Sequence, residues 1–280
     1  MGATCCSNKE KEDHVDMDNA KKKNKKKSKK RMEKRSNKSA KGAEIEERDH
    51  SMQAVVPDYD ETNPDTLFPK NPTLQDVMNN ETDHSYISKS RSKGIEYWYE
   101  INREDWEFVN TKNNVDMYQK KTENPGILYV RGVMTVNRPI RDIADHFDSL
   151  ENKLASKTKS DKLELVKDIG HNSRIEKYLM KGSITFESRD FVYCTTKYEL
   201  KNGHWAIVDH SVDHADHPET SSATRGMIDS LTLLKPEGNS LTKVLSTSKI
   251  DLKGNLPTAV IKKILAKKLD EFIALKNGLE

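Results

Sequence analysis

The last stretch of the chain, Ile250-Asp-Leu-Lys-Gly-Asn-Leu-Pro257 followed by Thr258 to Asn277, limits the possible folds more than any other. Pro257 suits the first turn of a helix, where its missing N–H costs nothing, and Gly278 suits the position just past the end. Between them Val260, Ile261, Ile264, Leu265, Phe272 and Leu275 recur at helical spacing. Lys262, Lys263, Lys267, Lys268, Asp270 and Glu271 take much of the remaining surface. The pattern predicts an amphipathic helix of roughly five to six turns at 3.6 residues each. The runs before it alternate as strands do. A sheet built from them must bury one face, and this is the only long, strongly periodic helix the sequence offers to cover it. One helix is too narrow to fill the concavity of a large twisted sheet, which leaves room for a ligand.

The strand-like runs are Trp106–Val109, Val115–Lys121, Ile127–Val136, Leu163–Ile169, Arg174–Met180, Arg189–Leu200, Trp205–Asp213, Ala223–Leu234 and Thr242–Leu252. Turn residues such as Asn202-Gly203 and Glu237-Gly238-Asn239 separate them. About nine strands with short connections indicate an antiparallel sheet, since the βαβ rhythm of a parallel one is missing. A helical pattern runs from about Thr73 to Ile101, interrupted near Asn79–Asn80, and Pro139 opens another over Ile140 to Leu150. The expected class is therefore α+β.

Charge divides the chain. The net charge is +3, but residues 1–41 carry 15 Lys/Arg against 6 Asp/Glu, leaving a mildly acidic body behind a basic tail. Residues 1–50 have almost no aromatics and read as a disordered tail. The proline-punctuated residues 51–72 read as a linker, and 73–280 as the folded domain. Gly2, Cys5 and Cys6 are candidate myristoylation and palmitoylation sites, although Cys6 stands where the usual pattern has Ser or Thr. Lys21 to Arg35 adds a polybasic run. One acyl chain holds a protein at a membrane only marginally, so anchoring needs such a second signal. A lysine run alone equally fits a nuclear address, an RNA-binding tail or a solubilising segment; the conjunction favours an anionic membrane surface as the partner. The sequence has no run of 18 apolar residues and no secretory h-region at its start, and its three cysteines form no disulfide framework. The setting expected is cytoplasmic, peripheral on the cytosolic face of a membrane.

Catalytic and metal motifs give little. No Gly-x-Gly-x-x-Gly, P-loop or Gly-x-Ser-x-Gly occurs, and Ser156-Lys-Thr-Lys159 lacks its partner motifs. His210, His214 and His217 among Asp209, Asp213 and Asp216 form a candidate metal set, but on a strand-to-loop segment such residues read as solvated. Cys194 reads as a small buried strand residue. Alternation puts Tyr193 and Thr195 on one face of their strand and Val192 and Cys194 on the other. Arg225, within a strand, needs an anion beside it, either a lipid phosphate or a carboxylate such as Asp229 or Asp190.

Several motifs resemble those of START domains, the steroidogenic-acute-regulatory-protein-related lipid-transfer family. Ser188-Arg-Asp-Phe-Val-Tyr193 is similar to the family's Arg-Asp-Phe-Val signature, and Ile250–Pro257 to its Asp-x-x-Gly-x-Leu-Pro lead-in to the last helix. Ser211 to Arg225, with Pro218 inside, resembles its Ser…Pro…Val-Arg segment, and Trp106 with Val115–Tyr118 its opening strands. The likeness spans about residues 80–278. It implies a helix-grip fold, a curved antiparallel sheet around the C-terminal helix, with a tunnel for one lipid and neither catalytic residues nor a cofactor. It also implies that Tyr193, Thr195, Arg225, Met227, Ile261, Ile264 and Leu265 bind that lipid, whether phospholipid, sterol or sphingolipid. Leu256-Pro257 and the Lys181–Glu187 loop become the moving parts. The chain departs from the family at Ala155 to Leu163, which lacks the usual Trp and Arg, and at Lys162 and Thr195, where sterol-binding relatives carry an acid and an arginine.

The expected function is to bind one lipid and transfer or sense it at a membrane, as a monomer, without catalysis and without nucleic acid. A membrane-tethered adaptor with a vestigial cavity is the alternative. A hydrolase on the same architecture would need an acid and base converging in the tunnel, and the sequence shows no such pair.

Overall fold

The computed structural model describes residues 59–280 apart from Thr158, Thr185 and Asn255. The positions Gly2, Cys5 and Cys6 and the run Lys21 to Arg35 lie outside the described residues. The described residues belong to one compact unit, 56–280.

Helices α1 (Pro64–Leu67) and α2 (Glu81–Ile101) come first, then β1 (Glu107–Lys112), β2 (Val115–Lys120) and β3 (Ile127–Val136). After α3 (Ile140–His146) and α4 (Leu150–Ala155) the chain forms β4 (Lys162–Gly170), β5 (Ser173–Met180), β6 (Arg189–Glu199) and β7 (Trp205–Ser211). Strands β8 (Thr224–Arg225), β9 (Met227–Pro236) and β10 (Thr242–Asp251) precede α5 (Thr258–Leu279). The sheet runs β1-β2-β3-β10-β9-β7-β6-β5-β4, with β8 added to β6. Every pairing is antiparallel except β6 with β8. The sequence-distant pair β3 and β10 joins the first three strands to the rest in unbroken register from Val136–Thr242 to Ile127–Asp251.

Each strand sorts its residues between two faces. Leu231 and Leu233 of β9 bury with Tyr97, Trp98 and Ile101 of α2, whereas Leu234 buries with Phe272 and Ile273 of α5. A fully buried side chain of this size contributes about 1.5–3 kcal/mol. At the crossing of α5 and β3, the Phe272 ring lies where any side chain at Gly132 would start, 2.6 Å from the position a Cβ would take. This is the helix-grip architecture expected.

Five details differ from the sequence reading. A second long helix, α2, covers the opposite face from α5. Its buried side includes Ser90 and Gly94 beside Ile87, Trp98 and Ile101, so apolar periodicity understated it. Within the supposed linker, Pro64–Leu67 are helical and Leu67 and Phe68 are buried in the α2 cluster, because an apolar pair beside a sheet gains more packed than solvated. The single run Ala223–Leu234 is two strands, broken at Gly226, where a Cβ would stand 2.4 Å from the Phe191 ring. The helix expected over Ile140 to Leu150 ends at His146, and α4 follows, capped by the Ser149 hydroxyl accepting from the Asn152 N–H. Gly278 lies inside α5 rather than beyond it.

Candidate functional site

Between α5 and the middle of the sheet is a cavity with about 120 Å³ of room for the centres of water-sized spheres. Strands β3, β7, β9 and β10 form its floor, α5 its roof, and α3 and α4 close one side. Alternation on the central strands brings Asp209, Ser230, Thr232, Ser246 and Ser248 to the α5 side as a polar waist. Apolar clusters flank it. Val130, Met134, Phe272 and Ile273 belong to one; Leu128, Phe191, Ile261 and Ile264 belong to the other.

Four of the five waist side chains are joined by hydrogen bonds. Thr195 and Ser230 hydroxyls donate to the two oxygens of Asp209, each at 2.7 Å, and Thr232 and Ser246 share a bond of 2.8 Å. Behind Asp209 lies Glu176, whose side chain is wholly buried. Lys153 reaches Glu176 Oε2 at 2.5 Å, Arg174 Nε reaches Oε1 at 2.5 Å, and the Tyr193 hydroxyl donates to Oε2 at 3.0 Å. Burial would raise the Glu176 carboxyl, but the two cations outweigh it and hold it below the usual range. Burial, with Glu176 beside it, pushes the Tyr193 phenol well above 10.

A second charged group sits under the roof. Glu271 of α5 accepts on Oε2 from Lys157 at 2.6 Å and from Lys268 at 3.1 Å; its Oε1 lies 3.0 Å from Lys268 Nζ but accepts no hydrogen bond among the described residues. Both ammoniums lie over the Tyr178 ring, whose hydroxyl donates to Asp161 at 2.8 Å. Lys267 also reaches Asp161, at 2.9 Å. Burial pushes the Lys268 amine down to about 8, with Glu271 opposing the change and Lys157 adding to it. Burial would raise Glu271, but Lys157 and Lys268 hold it below its usual range.

None of the seven residues expected to bind lipid forms part of the cavity wall. Thr195 stands one hydrogen bond behind it, through Asp209, and Tyr193 two, through Glu176 and Lys153, both on the expected face of β6, while Val192 and Cys194 face α2. Ile261 and Leu265 border a separate groove of about 260 Å³ between α5 and the β2–β3 turn, and Ile264 packs in the apolar cluster beside Ile261. Met227 is exposed. Arg225 lies at the sheet edge with Asp190, Nη2 to Oδ2 at 2.9 Å and Nε to Oδ1 at 3.2 Å, and also donates to the His217 carbonyl. Of the two anions open to Arg225, the geometry gives the carboxylate, because Asp190 is buried and needs a countercharge.

The three histidines do not converge. His210 is buried with Nε2 at 3.0 Å from the Tyr86 carbonyl, whereas His214 and His217 meet each other in the following loop, ring centroids 5.7 Å apart. Cys194 is buried, and burial pushes its thiol up to about 11, away from thiolate chemistry. The sequence reading also missed charges that the fold gathers: Lys153, Glu176 and Asp209, and the Lys157–Glu271–Lys268 group. One signal was present. Lys268 is four residues from both Ile264 and Phe272, so it falls on the apolar stripe and not on the solvent face where it had been placed.

The START domain family model matches residues 100–274. Among solved structures, the human StAR-related lipid transfer protein 5 aligns at 17% identity and TM-score 0.58, covering 74% of this chain and 98% of that one. Human STARD10 aligns at 17% and 0.54, covering 74% and 81%. The human StarD13 (DLC2) lipid transfer and protein localization domain aligns at 20% and 0.53, covering 68% and 96%. These identities establish likeness of fold. No curated protein matches the chain by sequence.

Proposed function

The chain belongs to the START domain family, and on that premise we propose that it binds one lipid between α5 and the sheet and transfers or senses it at a membrane, without catalysis. The observation that carries this is the roofed cavity with a polar waist and apolar flanks, the lining an amphiphile requires. Each methylene removed from water is worth about 0.8 kcal/mol, so two acyl chains supply ample affinity without bond chemistry. The cavity is small beside the roughly 300–1,000 Å³ of common ligand pockets. A two-chain lipid is therefore admitted by displacement of α5 or of the neighbouring Lys181–Glu187 loop.

In this reading Gly2, Cys5 and Cys6 carry acyl chains and Lys21 to Arg35 meets an anionic cytosolic leaflet, keeping a monomeric domain at its donor membrane. The small size of the cavity favours the second reading, an adaptor whose cavity is vestigial.

Native mass spectrometry of the full chain purified from cells, with extraction of whatever co-purifies, separates the two. One bound lipid per chain is the expected result. A chain that carries none, and takes none from offered vesicles, returns the adaptor reading.

A further inference from the structure

Three ammoniums, those of Lys153, Lys157 and Lys268, line the cavity against two carboxylates, Asp209 and Glu271. Lys153 and, behind the wall, Arg174 are matched by Glu176 and Asp209, the latter 4.0 Å from Lys153 and also accepting from the hydroxyls of Thr195 and Ser230. That leaves Glu271 between Lys157 and Lys268. Two ammoniums carry six N–H donors, and among the described residues the hydrogen-bond acceptor given for both is one oxygen, Oε2 of this carboxylate. The Tyr178 face, with its centroid 5.6 Å from Lys157 Nζ and 5.3 Å from Lys268 Nζ, adds cation–π attraction but not a second anion. Donors withdrawn from water without acceptors are costly, and Lys268 is almost wholly buried. The cavity therefore holds one positive charge more than it neutralises.

We infer that the cavity selects an amphiphile with an anionic head group, a phosphate or a carboxylate, whose oxygens are received by Lys157 and Lys268 beside Glu271. The inference rests on the lipid-binding reading and gives it a ligand class. One added negative charge brings the two ammoniums and Glu271 to neutrality and supplies further acceptors. A sterol or ceramide brings hydroxyl or amide groups only. The lowered proton affinity of Lys268 fits the same geometry, since an anion beside it raises that affinity again.

The test offers all candidates in one vesicle, so that attraction of the basic tail to the surface is the same for each. Phosphatidylcholine vesicles carrying equal small amounts of phosphatidic acid, oleic acid, ceramide and cholesterol are incubated with the full chain. The protein is then separated and its bound lipid identified by native mass spectrometry. Charge-assisted hydrogen bonds predict a preference of about tenfold for an anionic lipid over the neutral ones. The phosphatidic and oleic acid arms tell phosphate from carboxylate. Lys157→Gln and Lys268→Met should each reduce the preference toward parity while neutral lipid is still taken up, which also reports that the variants are folded. Neutral lipid bound as well as anionic by the wild type, or a preference unchanged in both variants, overturns the inference alone. No lipid in any arm overturns the lipid-binding reading, and this inference with it.

Discussion

Arg225 illustrates how a residue's role is set by what stands next to it. From the sequence its need for an anion was evident, but phosphate and carboxylate were equally open. In the fold Arg225 and Asp190 face each other across the parallel β6–β8 pairing, in direct register. Asp190 is 3% exposed, so removing its cation leaves a buried, uncompensated carboxylate. Arg225→Met should destabilise the protein by about 3–5 kcal/mol, read as a lower urea midpoint with an unchanged slope. Lipid uptake by the folded fraction should be unaffected, since Arg225 is not among the residues that line the cavity. The converging charges were less legible. Glu176, Lys153 and Asp209 come from β5, α4 and β7, separated by many residues, and no local pattern marks them as neighbours.

At the scale of elements, period-two alternation and turn residues located the strands well, since a one-residue slip would expose every buried side chain of a strand. Boundaries failed where tertiary packing decided them, at Gly226 against Phe191 and at the break between α3 and α4. Helix α5 carries a titration of its own. The Lys268 amine is pushed from an ordinary 10.5 to about 8 in the fold. Between those values the unfolded chain binds more protons, so this group makes stability rise with pH from about 8 to 10.5, and its full penalty applies below about 8. The penalty is on the order of 3 kcal/mol. Urea midpoints of wild type and Lys268→Met should therefore converge in the wild type's favour between pH 8 and 10. The phenols of Tyr97, Tyr193 and Tyr198, raised by burial, oppose folding only at higher pH and do so in both proteins. A difference that stays flat with pH would show that Lys268 is not held charged against burial.

At the scale of the whole molecule, the proposed membrane attachment and the proposed lipid uptake belong to different segments. Gly2→Ala should lower the membrane-bound fraction in cell fractionation while the purified chain keeps its lipid; parallel loss of both would tie uptake to the anchor. The sequence by itself determined the strand succession, the antiparallel class, the amphipathic last helix and the START family, because backbone periodicity and short motifs are written in neighbouring residues. Only the tertiary structure decided which charges share the cavity. It also decided that α2 covers the second face and that Arg225 is structural. Those facts depend on residues far apart in the chain, brought together by sheet order, where burial sets the energy of every unpaired charge.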